Sequence, residues 1–441
     1  MSSEADASFP HRHWGTLGVR CYNYRIMLKK NERREGMDAE TLRLRNRATI
    51  LRAICTKNID TRPKLVQTTG LTRMTISNIV NEMVGLGLVE VVPGDAANSK
   101  SAASDTATQR SPGPQPEKIV LAPSAPNVLA IWLDKLHLTT SVFALNGEPS
   151  YQVVQSLPAG ITRSDLIEKL LTAAERAVNR TTKNIIGIGV AVPGIVNPAG
   201  GVLEQVIGFP GIAPLPLRST LSERLKLPVY VANEINAAAL DEIYFGYGRE
   251  QDNFIYIGLT KGVGAAIVSG NRLVQSNPDI GGELGHISIN FAGKLCECGN
   301  RGCLELYVSE PIVTAQISAA ARCEFPDLAS ALTYARQSTL ANVTVRKLRW
   351  DFLSKLAIGI TNICNITGIV KIVLGHNASL FDAAEMAELQ DLVSQRIIFD
   401  QLRSAVEIIP SEHRTMSSAH GAACILLDDI FRGRLDLSKT P

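Results

Sequence analysis

The chain has 441 residues, of which 45% are hydrophobic and 20% charged, and its formal net charge is +3. That length suits two or three domains with a large core, and the balance is that of a globular protein rather than a disordered or fibrous one. No apolar run nears the roughly 20 residues of a bilayer span, and the polar N-terminus carries no secretory signal, so a cytoplasmic protein without membrane insertion is expected, its eight cysteines reduced.

Residues 1–40, with "KKNERRE" at 29–35, lack a sustained apolar period and read as a basic, disordered extension. Helical periodicity starts at "MDAETLRLRNRATILRAI", which makes Met37 an alternative start codon. Residues 41–93 hold eight Lys and Arg against three Asp and Glu, a net of +5. Leu44, Ala48, Leu51, Ile54 and Cys55 share one helical face. Pro63 suits the first turn of a short helix, Gly70 a tight turn, and Thr72 the cap of a second helix with Ile76, Ile79, Val80 and Met83 as its buried stripe. Gly85 and Gly87 end that helix, and a strand follows at 88–92. Local pattern alone is also that of an ordinary αα-hairpin with a solvated basic face. The charge and the strand favour a winged helix–turn–helix on double-stranded operator DNA. Thr72, Arg73, Thr75, Ser77 and Asn78 would then face base edges in the major groove. Arg62, Lys64 and the upstream arginines would meet phosphates, which position the protein without specifying sequence. Such modules work on paired half-sites, so a homodimer or tetramer is expected.

Residues 94–117 are rich in Ala, Ser, Pro and Gly and read as a linker or wing loop. From Lys118 strand-like and helix-like stretches alternate. Strands are predicted at 127–133 and 138–148, an amphipathic helix at 163–180, and a buried strand at 184–196 that runs into a Pro–Gly turn. Residues 221–246 read helix, strand, polar turn, helix; 253–274 read as a Gly-rich hairpin; 369–379 read as a strand into a loop. This mixed α/β order is too long for one sheet domain, so two lobes are expected, with no repeat of solenoid period.

"GELGHISINFAGKLCECGNRGCLEL" (282–306) spaces His286, Cys296, Cys298 and Cys303 as H-x9-C-x-C-x4-C, with Gly299, Asn300 and Gly302 allowing sharp turns. A metal, a disulfide and unconnected thiols are the three readings. A reducing compartment and the strain of a Cys296–Cys298 bridge disfavour the second. Four soft N and S ligands suit tetrahedral Zn2+ in a closed structural site. Cys21, Cys55, Cys323, Cys364 and Cys424 are scattered and read as small buried hydrophobes.

At this point the chain resembles the ROK family, which joins sugar-responsive repressors with bacterial sugar kinases. "GLTKGVGAAIVSGNRLVQSNPDIGGELGHI" (258–287) is similar to the family signature, "CECGNRGCLE" (296–305) to its zinc loop, and "VANEINAAALDE" (231–242) to its sugar-site segment. The helix–turn–helix is carried by the repressor branch, and the resemblance runs from about residue 43 to 433. It implies a mainly α N-terminal winged helix–turn–helix followed by a two-lobed α/β domain like that of actin and hexokinase. Residues 118–235 would form the small lobe, completed by a helix near 416–433, and 236–415 the large lobe with the zinc loop. Asn233, Glu234, Glu283, His286 and Glu305 would contact a sugar in the cleft between them. Carboxylates accept paired hydrogen bonds from vicinal hydroxyls. With one ring nitrogen on zinc, His286 must carry its proton on the other and so becomes a fixed donor.

The kinases of the family cradle phosphate on Asp-x-Gly-Gly-Thr after the first strand. Here "AIWLDKLHLTTSVF" (130–143) has no glycine; Trp132 or Asp134 takes the Asp place, and Lys135, Leu136 and His137 fill the turn. Glu234 stands where kinases place the Asp that acts as general base, and its extra methylene shifts the carboxylate by about 1 Å. His376 in "VLGHN" replaces another glycine. No ATP and no catalysis are therefore expected. The reading is a sugar-responsive transcriptional regulator acting as a repressor. The alternatives are a ROK sugar kinase with an accessory DNA-binding domain, and a regulator whose signal is a transporter subunit. The contacts placed here are common to many hexoses, and discriminating groups would lie in loops such as 206–217.

Overall fold

Proline placement and capping decide where the N-terminal helices begin. In the structure, a computed structural model describing residues 38–94, 117–182, 184–274, 281–338 and 342–439, helix α1 spans Ala39–Lys57. Asp38 caps it, its Oδ1 accepting from the Thr41 N–H at 2.7 Å. Helix α2 (Arg62–Thr69) has Pro63 in its first turn and ends at Gly70, whose φ of 71° is the left-handed conformation that glycine adopts freely. Helix α3 (Arg73–Gly85) is capped by Thr72, and its stripe Ile76, Ile79, Val80 and Met83 is buried. Strand β1 (Val89–Val92) pairs antiparallel with β2 (Lys118–Leu121), Val89 opposite Leu121. The expected start of the small lobe at residue 118 therefore shifts: Lys118–Leu121 belong to this ribbon. Ile119 is buried in the same core as the three helices, and its N–H donates to the Asp60 carbonyl at 2.6 Å. Of the expected 1–40 extension, residues 1–37 lie outside the described residues, as do residues 95–116 of the expected linker; residues 38–40 are instead the cap and first residues of α1.

The first large sheet comprises β3 (Asn127–Leu133), β4 (His137–Ala144), β5 (Pro149–Ser156), β6 (Ile185–Val192) and β9 (Val229–Asn233), in the order β5-β4-β3-β6-β9. Helix α4 (Arg163–Arg180) precedes β6; the small hairpin β7 (Ile195–Asn197) and β8 (Val202–Gln205) and helix α5 (Leu217–Leu225) precede β9. After helix α6 (Glu234–Phe245) the second sheet begins with β10 (Phe254–Leu259), β11 (Val263–Ser269) and β12 (Arg272–Leu273). Helices α7 (Glu305–Val308), α8 (Glu310–Ala321), α9 (Leu328–Gln337) and α10 (Val343–Thr367) lead to β13 (Lys371–His376). Helices α11 (Ala383–Ser394) and α12 (Asp400–Arg403), strand β14 (Glu407–Pro410) and helix α13 (Ser417–Phe431) complete the chain, and the sheet order is β12-β11-β10-β13-β14.

Both sheets follow one plan: a three-stranded antiparallel meander whose first strand is flanked by two further parallel strands. That duplication is the two-lobed actin- and hexokinase-like architecture. Helices α4 and α5 bury Leu166, Leu170, Leu217 and Leu221 against the first sheet. Helices α8 to α11 cover one face of the second. Helices α6 and α13 lie between the sheets, in one core that joins Ala237 and Leu240 to Ala422, Leu426, Val128, Tyr256 and Val373. Their approach needs glycine: a Cβ on Gly421 would stand 2.1 Å from the Ala237 carbonyl oxygen. The same core continues into Ile50, Leu51 and Ile54 of α1.

Candidate functional site: a cleft between the two sheets

The C-terminal ends of β3 and β9, the β10–β11 turn and the 281–286 segment line one cleft of about 630 Å3. Strand ends of parallel pairs are where open α/β sheets present ligand groups. All five residues expected to meet a sugar, Asn233, Glu234, Glu283, His286 and Glu305, stand in its wall.

Their local roles differ. The expected polar turn after β9 is absent, because Asn233 caps α6 directly. Its Oδ1 accepts from the N–H groups of Ile235 (2.8 Å) and Asn236 (3.3 Å), and its Nδ2 donates to the Gly194 carbonyl at 2.9 Å. Glu234 is buried and accepts from Trp132 Nε1 at 2.8 Å. Burial pushes its carboxyl up to about 7, against the pull of that hydrogen bond. Glu305, at the start of α7, accepts from the Val263 N–H at 3.1 Å and so ties α7 to the β10–β11 turn.

His286, Cys296, Cys298 and Cys303 form a group that could hold a metal ion, their ligand atoms all within 4.8 Å of one another. His286 Nδ1 lies 3.7 Å from Cys296 Sγ, and Cys298 Sγ lies 3.6 Å from Cys303 Sγ. Tetrahedral zinc with Zn–S bonds of about 2.3 Å has edges of about 3.8 Å, so the donor set fits that ion. The turns are built for the cluster: a Cβ on Gly302 would lie 1.8 Å from the Asn290 carbonyl oxygen, and Leu295 bridges Arg301 to close the hairpin that carries Cys296 and Cys298. Burial pushes the Cys303 thiol up to about 12, so holding it as a thiolate beside two others takes a cation. The other ring nitrogen of His286, Nε2, is 4.0 Å from Glu283 Oε2 on the cleft side.

The rim expected to hold phosphate in a kinase is built differently. Asp134 N–H donates to the His137 carbonyl at 3.0 Å, and Asp134 Oδ1 accepts from the N–H groups of Leu136 (2.5 Å) and His137 (2.7 Å). The N–H groups a phosphate would need are taken by an anion already in place. His376 is buried, with Nε2 2.8 Å from Ser418 Oγ and Nδ1 3.2 Å from the Tyr256 hydroxyl. Burial lowers it to about 4, so the ring is neutral. It packs edge-on to Trp132, with ring centroids 6.0 Å apart. The Trp132–Glu234 bond and the Asn377–Glu310 bond (2.6 Å) are cleft features that sequence reasoning missed. Only the His in "VLGHN" hinted at the second of these regions.

On the N-terminal helices, Thr72, Arg73 and Asn78 are exposed on α3, while Thr75 and Ser77 are half-buried. The Thr72 and Thr75 hydroxyls lie 2.9 Å apart and are partly spent on the cap. Met74, not anticipated, is 73% exposed on the same end of the helix. Arg62 pairs with Glu117 at 2.9 Å and Lys64 with Asp60 at 2.8 Å, exposed contacts that are worth little and easily exchanged. Two of the upstream arginines are corrected. Arg47 is only 6% exposed and bonds Glu82 (2.7 Å) and Asp436. Arg52 lies over the Tyr244 ring, 5.2 Å from its centroid. Both tie α1 to the rest of the chain and are not placed for phosphates.

A sequence model of the ROK family matches residues 130–429. The xylose repressor of Caldicellulosiruptor bescii is 28% identical over 401 residues, 87% of this chain and 96% of that protein. A glucokinase of Thermotoga maritima is 31% identical over 158 residues, 34% of this chain and 49% of its own. Among solved structures, a ROK family transcriptional regulator homologous to the MLC protein of Escherichia coli aligns with a TM-score of 0.71 at 23% identity, over 89% of this chain and 98% of that one, a likeness of fold. No helix among the described residues is long and apolar enough to cross a membrane.

Proposed function

The chain belongs to the ROK family, and we propose that within it this protein is a sugar-responsive transcriptional repressor that does not phosphorylate its sugar. The observation that carries this over a kinase reading is the β3–β4 turn, whose N–H groups are already bonded to Asp134. The relation to a xylose repressor over nearly that protein's whole length supports the same reading and makes D-xylose the first ligand to try.

In this proposal α1 to α3 and the β1–β2 ribbon act as a winged helix–turn–helix, with Thr72, Arg73, Asn78 and the unforeseen Met74 toward the bases and Arg62 and Lys64 exchanging their carboxylate partners for phosphates. The module would extend through Leu121 and the sensor begin at Asn127. A sugar would lie against Glu283, Glu305 and Glu234, which accept from hydroxyls, with His286 Nε2 donating. Asn233 positions the start of α6 more than it contacts ligand. Zinc, held by His286, Cys296, Cys298 and Cys303, would fix the His286 tautomer and the loop that carries it.

Helix α6 offers a route from ligand to DNA. Its first residue, Glu234, faces the cleft; about 15 Å along, Tyr244 bonds Asp428 and lies under Arg52 of α1. Closure of the cleft on a sugar would shift α6 and with it the paired helices of a homodimer or tetramer. A coupling of about 1–3 kcal/mol changes operator occupancy roughly 5- to 150-fold.

The test pairs a thermal-shift screen of sugars with gel shifts on DNA upstream of the chain's own gene. A stabilising sugar that also changes the gel shift is expected; stabilisation by none would turn the search to a protein signal such as a transporter subunit. Arg73→Ala should weaken the shifted complex, and unaltered affinity would remove α3 as the reading helix. A kinase reading has one observation in its favour, since a carboxyl held near 7 suits a general base. Turnover of ATP with any bound sugar would overturn the repressor reading.

A further inference from the structure

We propose that the cleft holds a second sugar unit beside the first, contacted by Lys261 and Asn377, so that the effector is an uncharged disaccharide rather than a monosaccharide. The inference rests on the sugar-sensing reading and names its ligand class. The cleft measures about 630 Å3. That lies within the roughly 300–1,000 Å3 of pockets that enclose drug-sized ligands, and a single pyranose fills only part of it. The polar groups also form two sets. Glu283, His286 and Glu305 make the first; Lys261, Glu310 and Asn377, in the wall of the same cleft, make the second.

The β10–β11 turn joins the two sets. The Val263 N–H is bonded to Glu305, and Lys261 stands two residues before it. Between them Gly262 keeps the way open: a Cβ there would lie 2.8 Å from Glu305 Oε2. In the second set Glu310 is spent on the fold. Its Oε2 accepts from Asn377 Nδ2 at 2.6 Å. Burial raises its carboxyl, and the Leu328 N–H and Lys261 are among the groups that draw it back. A carboxylate only accepts, so this bond fixes which way the Asn377 amide turns, with Nδ2 on Glu310 and Oδ1 left for a ligand hydroxyl. Lys261 is exposed and brings the opposite capacity, an ammonium that only donates. A fixed acceptor beside a flexible donor suits the hydroxyls of a sugar. The described cleft wall carries six acidic side chains against two lysines, Lys135 and Lys261, which disfavours a phosphate or uronate and selects an uncharged unit.

Calorimetry on the full chain would compare D-xylose with xylobiose, and D-glucose with cellobiose and isomaltose. At least one disaccharide should bind about 10-fold or more tighter than its monosaccharide, the worth of roughly one or two net hydrogen bonds. In Asn377→Ala, and in Lys261→Ala at an exposed position that the fold does not need, that ratio should fall toward one. Glu305→Gln should weaken both sugars together and leave the ratio standing. Disaccharides that bind no tighter than their monosaccharides, or a ratio that either variant leaves unchanged, overturn the inference while the sugar reading stands. Binding of no sugar at all would sink that reading and the inference with it. ATP binding that Asn377→Ala abolishes would assign this half of the cleft to a nucleotide and overturn the inference as well.

Discussion

The two rims of the cleft have kept different things. On one rim, His286 presents a ring nitrogen toward Glu283 while its other nitrogen faces three thiols, and Glu305 is anchored by a backbone N–H. On the other, Asp134 consumes the N–H groups of its own turn, and His376 spends both ring nitrogens on Ser418 and Tyr256. The first rim has polarity organised from behind and left to face a ligand. The second has satisfied itself. The difference between a sensing cleft and a phosphorylating one therefore lies in where hydrogen-bonding capacity points, since both rims are equally well built.

The strongest way to break that contrast is to remove the support behind the first rim. Cys296→Ser with Cys298→Ser should lose one bound zinc per chain and with it the response to sugar, because binding of a structural zinc contributes on the order of 10 kcal/mol to ordering its ligands. Metal content and calorimetry check this; unchanged metal would mean that the hairpin holds the rim without an ion. A smaller effect is expected at Glu305→Gln. The amide oxygen still accepts from Val263, so the fold should stand, while loss of a charged acceptor should weaken sugar binding about 10- to 100-fold. Full affinity would move the sugar contacts elsewhere in the cleft.

Much of the first rim was legible because its chemistry is compressed into 282–306, where residue type and spacing alone limit the readings. Helix Arg163–Arg180 and strand Asn127–Leu133 were legible to the residue, since clean periodicity and caps fix their ends. The rest depends on distance. Nothing local says that Lys118–Leu121 pairs with Val89–Val92, that Trp132 reaches Glu234, or that Arg47 is claimed by Glu82 and Asp436. Strand Pro149–Ser156 escaped notice because it is an edge strand whose residues are exposed or half-buried throughout. An arginine in a basic segment reads as a DNA contact until the fold supplies its partner.

Glu234 lies between the rims and should report on both through pH. Its folded-state carboxyl sits near 7, above its unfolded value, so the native state holds the proton more tightly. Its stabilising contribution is full below about pH 4.5 and is lost as pH rises through 7, by at most about 3 kcal/mol. Glu242, also pushed up to about 7 by burial, adds to the same slope, while neutral His376 opposes it at low pH. The difference between wild type and Glu234→Gln isolates the one group: melting temperature should fall less between pH 5 and 8 in the variant. Parallel curves would mean that Glu234 titrates as an ordinary carboxylate.

The smallest effect tests the second rim. Asp134→Ala removes the carboxylate that bonds Leu136 and His137 and leaves two N–H groups to the solvent, which should cost about 1–2 kcal/mol in a thermal melt. Sugar affinity should hardly change, since among the described residues Asp134 makes no bond to the other rim. Calorimetry with ATP decides what the contrast rests on. If the bonded N–H groups were all that barred phosphate, freeing them would admit it. The turn still carries Lys135, Leu136 and His137 where close backbone approach calls for glycine, so no nucleotide binding is expected. Binding gained by this one substitution would show that a single carboxylate, and not the missing glycines, separates the two rims.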